Sequence, residues 1–242
     1  MTDLSVNLNK IALLRNSRGR DYPSVVAFAG KFIGLGVQGI TIHPRPDERH
    51  IKRQDAYDLA EFLQDHTEVE LNIEGYPNQE FLRLIEDTRP DQCTLVPDAD
   101  NQLTSDHGWD FREQGAYIKN IVGQLADWGV RSAVFLDPDM EQVALAAESG
   151  SNRIELYTES YAQAWNSPEQ DTILNGYREV ALMAQALGLG VNAGHDLDLA
   201  NLPVFLSIPN ILEVSIGHAL TVECIEQGME QVIRRYLDIC NA

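Results

Sequence analysis

Four of the six histidines, His43, His50, His195 and His218, fall in short polar stretches that follow β-prone runs. Imidazole titrates near neutral pH and is the usual proton shuttle of an active site. Glu74 ends the β-prone stretch Leu71-Asn72-Ile73, and a carboxylate there can take or give a proton if burial raises its pKa. An arginine partner would instead pin it ionised. Arg18 and Arg45 can grip phosphate oxygens with two parallel donors. Gly217-His218 opens a helix-like stretch, so its backbone N–H groups can also receive an anion. His43, Glu74, His195 and His218 would suit a divalent metal as well, but no HExxH-type spacing supports that reading.

These residues are far apart in the chain, and a repeating unit must gather them. That unit is an amphipathic helix, a glycine and a short β-rich run: Gly36 precedes 39–43, Gly129 precedes 132–136, and Gly150 precedes 153–156. Eight strands are expected at 4–8, 39–43, 69–73, 92–96, 132–136, 152–156, 190–193 and 212–216. Helical spacing fills the gaps, as in Ile225, Met229, Val232, Tyr236 and Ile239. Alternating β and α implies parallel strands, because each return needs a crossover. Eight units in 242 residues suit one (β/α)8 barrel, a TIM barrel with short extra helices spanning 1–242. A doubly wound open sheet is the alternative.

Strand parity adds a second signal. Ile40 and Ile42 alternate with Gly39, Thr41 and His43; Leu71 and Ile73 alternate with Glu70, Asn72 and Glu74. In a barrel the apolar parity packs on the helices and the polar parity lines the interior. Glu70 and Glu213, lower in their strands, read as members of a structural network. Barrel active sites lie at the carboxyl ends of the strands. Those ends carry Asn7 with Asn9 and Lys10, then His43 with Arg45, Glu74, Asp137, Tyr157, His195 with Asp196, and Gly217-His218. The polar segment 98–108 reads either as a lid or as a plain exposed loop.

The chain carries 18 basic and 37 acidic residues, a net charge of −19, which argues against a nucleic-acid binder. Residues 10–53 nevertheless hold nine of those bases and three acids, the balance of a confined anion site. No apolar run is long enough for a membrane helix. The start, Met1-Thr2-Asp3-Leu4, has no basic stretch of the signal-peptide kind, and the three cysteines lack metal-type spacing. A reducing, cytoplasmic setting is expected.

Five ordered motifs resemble one family. Val6-Asn7-Leu8-Asn9-Lys10 through Arg15-Asn16-Ser17-Arg18-Gly19 is similar to the N-terminal signature of pyridoxine 5′-phosphate synthases. Gly39-Ile40-Thr41-Ile42-His43-Pro44-Arg45 through His50-Ile51 resembles their second signature. Leu95-Val96-Pro97, Val191-Asn192-Ala193-Gly194-His195 and Ile216-Gly217-His218-Ala219 follow in order.

The resemblance implies a (β/α)8 barrel that assembles as a homo-octamer and needs no metal or organic cofactor. It implies condensation of 1-deoxy-D-xylulose 5-phosphate with 3-amino-2-oxopropyl phosphate to pyridoxine 5′-phosphate, inorganic phosphate and water. His43 would be a proton acceptor, Glu74 a second acid–base group and His195 the proton donor. Arg45, His50 and Thr104 would contact the deoxyxylulose phosphate. Asn7, Arg18 and Gly217-His218 would contact the amino-ketone phosphate. Asn9-Lys10 stands where many members have Asp-His, and Asp196 where many have Gly; these three are expected as substrate contacts, Asp196 through its backbone N–H. Two other readings remain open here: a metal-dependent sugar-phosphate isomerase or epimerase, and a barrel that binds phosphometabolites without turnover.

Overall fold

The computed structural model describes residues 1–98 and 105–242. Thr104 lies outside the described residues. The first half of the chain runs β1 (Asp3–Asn7), α1 (Asn9–Asn16), α2 (Val25–Gly34), β2 (Gly39–Ile42), α3 (Arg53–Phe62), β3 (Glu70–Gly75), α4 (Gln79–Thr88), β4 (Gln92–Leu95) and α5 (Phe111–Asp127). The second half runs β5 (Arg131–Leu136), α6 (Met140–Glu148), β6 (Arg153–Tyr157), α7 (Glu159–Ala164), α8 (Gln170–Ala186), β7 (Gly190–Gly194), α9 (Leu202–Phe205), β8 (Ile211–Ile216), α10 (His218–Gln227) and α11 (Met229–Cys240).

Among the described residues, the strands pair in parallel in chain order and β8 pairs back onto β1, which closes the barrel. The open-sheet alternative is excluded. The expected strands agree to within one or two residues; the largest difference is β3, whose ladder continues through Glu74 to Gly75. Glu74 is thereby part of the sheet, paired with Thr94 of β4 one residue beyond the end of the β2–β3 ladder.

Parity explains why this sequence closes into a barrel. Leu4, Val6, Ile40, Ile42, Ile73, Val134, Leu136, Ile154 and Val214 point outward and are fully buried or nearly so beneath the helices. The opposite parity fills the interior in layers. At the base, Arg131 pairs with Glu70 and donates to Gln92 at 3.0 Å. There Glu213 accepts from Asn192 at 2.9 Å and from Arg153 at 3.3 Å. Glu70 and Glu213 are thus members of the structural network expected from the sequence. Above them Ser5, Thr41, Asn72 and Thr94 form a hydroxyl–amide chain, with Ser5 and Thr41 oxygens 2.7 Å apart and Thr94 donating to Asn72 at 3.0 Å. A buried polar layer is tolerable only when its members are paired in this way. On one side of the upper layer, Val96, Phe135 and Tyr157 form an apolar patch.

Candidate active site

A cavity of about 480 Å³ opens at the carboxyl ends of the strands. Its wall includes Asn7, Asn9, Lys10, His43, Arg45, His50, Glu74, His195, Asp196, Gly217 and His218, eleven of the thirteen residues expected from the sequence. Arg18 follows α1, is exposed and does not line this cavity.

The β1 end is built by short polar links. Asn7 Oδ1 accepts from the N–H of Asn9, where α1 begins, and Asn9 Oδ1 accepts from the N–H of His43, each at 3.0 Å. The Asn9 amide therefore ties the start of α1 to the end of β2, a contact that needs an acceptor and no proton. Lys10 sits in the first turn of α1 on the cavity wall.

His43 is buried between two carboxylates. Its Nδ1 lies 3.7 Å from Glu74 Oε2 and its Nε2 lies 3.9 Å from Asp98 Oδ2. Burial, and then the positive charge of Arg45, hold the His43 pKa well below the ordinary imidazole value. Burial and the nearby carboxylates of Glu155 and Asp98 push Glu74 well above the ordinary carboxylate range. The free site therefore biases the His43 imidazole toward its neutral form and the Glu74 carboxyl toward its protonated form, opposite environments for two acid–base groups in one cavity.

Arg45 is buried in an ion pair with Asp98, and Asp98 Oδ2 also accepts from Ser105 Oγ at 2.8 Å. Among the described residues, Asp98 Oδ1 has no hydrogen-bond partner. His50 Nδ1 accepts from the N–H of Ile51 at 2.9 Å, which assigns the ring proton to Nε2 in the neutral tautomer. Burial, followed by Arg45 and Lys10, lowers the His50 pKa to about 4.

Across the cavity, His195 packs against Phe135 and Tyr157 with ring centroids 5.1 and 5.2 Å away. Burial lowers its pKa to about 4. His195 and Asp196 both adopt positive φ, +75° and +56°, a conformation that costs a non-glycine residue roughly 1–2 kcal/mol. The Thr158 hydroxyl holds this turn at the carbonyls of Gly194 and His195, and Asn201 Nδ2 donates to the Asp196 carbonyl at 3.0 Å. The Asp196 side chain is exposed and the Asp196 pKa is raised by partial burial and by Glu159.

The β8 end opens on a helix N-terminus. Helix α10 starts at His218 directly after Gly217, and no side chain caps its first turn. Those free N–H groups and the helix dipole favour a negative ligand. A methyl at Gly217 would stand 3.1 Å from Asn7 Cβ, so glycine allows β1 and β8 to close here.

Sequence reasoning missed Glu155. It is buried in β6, lines the cavity, and is pushed up to about 8 by burial and by the Glu213 carboxylate. A Cβ at Gly194 would lie 2.4 Å from Glu155 Oε1, so the small residue on β7 makes room for this acid. The signal was available: Arg153, Glu155 and Tyr157 share one parity. Asp98 as the partner of Arg45, and Glu159 on the wall, were missed as well.

Among the described residues, no group of three histidine, cysteine or acidic side chains is arranged to hold a metal ion. His43, Glu74, His195 and His218 share the cavity without forming such a cluster.

Fold and site together define a (β/α)8 barrel with histidines, carboxylates, basic side chains and a helix N-terminus around a cavity at the mouth. A family model described as "Pyridoxal phosphate biosynthesis protein PdxJ" matches residues 4–242. Pyridoxine 5′-phosphate synthase of Chelativorans sp. is 47% identical over 99% of this chain and 98% of its own. The protein of that name from Porphyromonas gingivalis is 48% identical over 98% of each. The chain belongs to the PdxJ family of pyridoxal phosphate biosynthesis proteins. KGPDC from Streptococcus mutans, at 12% identity, superposes with a TM-score of 0.67 over 100% of this chain and 98% of that one, a likeness of fold alone.

Proposed function

We propose that this barrel condenses 1-deoxy-D-xylulose 5-phosphate with 3-amino-2-oxopropyl phosphate, giving pyridoxine 5′-phosphate, inorganic phosphate and water. The observation that carries the reading is His43, held between Glu74 and Asp98 in a cavity whose far wall is His195 and whose rim carries cationic and helix-terminal phosphate donors. Membership of a family whose relatives bear the synthase name supports it.

The division of labour follows from the two walls. Lys10, Arg45 and His50 on the α1 and β2 side attract the sugar phosphate. Asn7 and the Gly217-His218 turn receive the amino-ketone phosphate. Imine formation needs protons moved from nitrogen and onto oxygen; loss of phosphate and ring closure need protons removed from carbon. His43, biased toward its neutral form, takes a proton; Glu74, biased toward its acid form, returns one; and His195 donates on the opposite face. Two bound phosphates add negative charge, which raises the depressed histidine pKa values toward the working range. The reacting amine belongs to the substrate, so no enzyme lysine has to form an imine.

The chain works as one catalytic unit over 1–242 and assembles as a cytoplasmic homo-octamer. The resemblance suggests this assembly, and exposed Leu13 and Leu14 on α1 beside Val222 and Ile225 on α10 support a protein-covered face. No helix of the described residues is long and apolar enough to cross a membrane.

The test is to incubate the purified protein with both substrates, with and without a chelator, and to detect pyridoxine 5′-phosphate. Product formation insensitive to the chelator is expected. Activity that vanishes with the chelator and returns with a divalent metal would contradict the cofactor-free mechanism, and no product from either arm would refute the synthase reading.

A further inference from the structure

We propose that Arg15 and Asn16, which do not line the cavity, are positioning residues that clasp the loop between β2 and α3 against α1 and thereby set affinity for the sugar phosphate. The inference rests on the reading of the cavity given above.

The loop carries Arg45, Arg49 and His50 on the cavity wall. Its backbone is gripped from the opposite side. Asn16 Nδ2 donates to the carbonyls of His50 at 2.8 Å and Arg49 at 3.1 Å, with the Glu48 carbonyl at 3.4 Å. Arg15 Nη2 reaches the same His50 carbonyl at 3.2 Å. Arg15 Nε donates to Asn16 Oδ1 at 3.1 Å, which orients the amide with its NH2 toward the loop. The two side chains therefore act as one donor cluster facing three successive carbonyls.

The cluster is anchored by a buried ion pair. The Arg15 guanidinium makes a two-pronged contact with Asp55 in the first turn of α3, with the Nη2–Oδ2 arm at 2.9 Å. Asp55 Oδ2 in turn accepts from the N–H of Lys52 at 2.7 Å, fixing where α3 begins. Both ends of the loop are then defined: Asn9 holds the N–H of His43, and Asp55 holds the N–H of Lys52. Such buried charge pairs add little net stability compared with apolar packing, because desolvation offsets their attraction. What this pair adds is geometry, since its donors end on the backbone of the residue whose imidazole faces the substrate.

Asn16 is the cleaner probe, because Asn16→Ala leaves the ion pair intact. Asn16→Ala should raise KM for 1-deoxy-D-xylulose 5-phosphate about tenfold, while kcat stays within threefold and KM for 3-amino-2-oxopropyl phosphate within twofold. The second substrate is read from β1 and β8, which the clasp does not touch. Asn16→Asp, of equal size but with no donor, should raise the same KM at least as much. Independently of turnover, amides of residues 47–52 should exchange hydrogen at least tenfold faster in Asn16→Ala, with barrel-strand amides unchanged. Equal KM values, or both KM values and kcat worsening together, would overturn the proposal. If the wild type makes no product, the synthase reading fails by itself, and unchanged exchange in the loop would then overturn the clasp.

Discussion

His43 and Glu74 meet at 3.7 Å with pKa values driven apart, one far down and one far up, and this contrast is the chemical content of the site. His43→Ala and Glu74→Gln should each lower kcat by about 10²–10⁴-fold, the usual contribution of a positioned acid or base. The thermal midpoint should stay within a few degrees of wild type in both. Wild-type rates in either variant would remove that residue from the mechanism. Glu155 makes a separate prediction about stability. Its folded pKa is raised to about 8 against an ordinary 4.5, so the folded state holds its proton more tightly than the unfolded chain. Stability from this group is full below pH 4.5 and is lost as pH rises toward 8. Glu155→Gln has no proton to lose. Relative to wild type it should gain stability between pH 5 and pH 8, by about 2–4 kcal/mol at one pKa unit per roughly 1.4 kcal/mol. Urea midpoints of both proteins at the two pH values measure this, and a pH-independent difference would show that Glu155 keeps an ordinary pKa.

At the scale of elements, β7 and its following turn are the most demanding part of the mouth. Gly194 leaves room for Glu155, and His195 then enters the left-handed region with Asp196 behind it. Gly194→Ala should destabilise the protein by about 1–3 kcal/mol, the range for overpacking a filled interior. It should also lower turnover by displacing Glu155; unchanged stability and rate would mean that the wall yields freely. How far such details are legible in sequence depends on how local their cause is. Alternation in 70–74 exposed Glu74 and Asn72, because parity is a property of neighbouring residues. Glu155 carries the same signal, but in Arg153–Tyr157 the inward residues are one base, one acid and one aromatic, with no uniform polar face to draw attention. Asp98 was invisible as the partner of Arg45, since 53 residues separate them and only the lateral order of β2, β3 and β4 in the sheet brings them together. The type of Arg18 and its place in a motif suggest a phosphate clamp, yet neither fixes where a side chain points once α1 has ended at Asn16.

For the whole molecule, the excess of acid outside 10–53 leaves the α1–β2 sector as the basic part of a strongly acidic protein. That asymmetry directs a dianionic substrate to one sector of the mouth, an effect that salt screens over about 10 Å at 0.1 M. The exposed apolar residues of α1 and α10 lie beside the same sector, so the octamer proposed above would place assembly and catalysis on a shared element. Sedimentation should give a particle about eight times 27.0 kDa, and Ile225→Asp should dissociate it. A wild-type monomer at micromolar concentration would rule the octamer out.

Two phosphate cradles and three acid–base groups are proposed to serve one chamber. A crystal structure with both phosphorylated substrates, or with phosphate alone, tests it most directly. One phosphate should sit on the N–H groups of Gly217 and His218, another beside Arg45 and His50, with His43 and Glu74 facing the space between them. A phosphate bound elsewhere, with that space filled by side chains, would contradict the account.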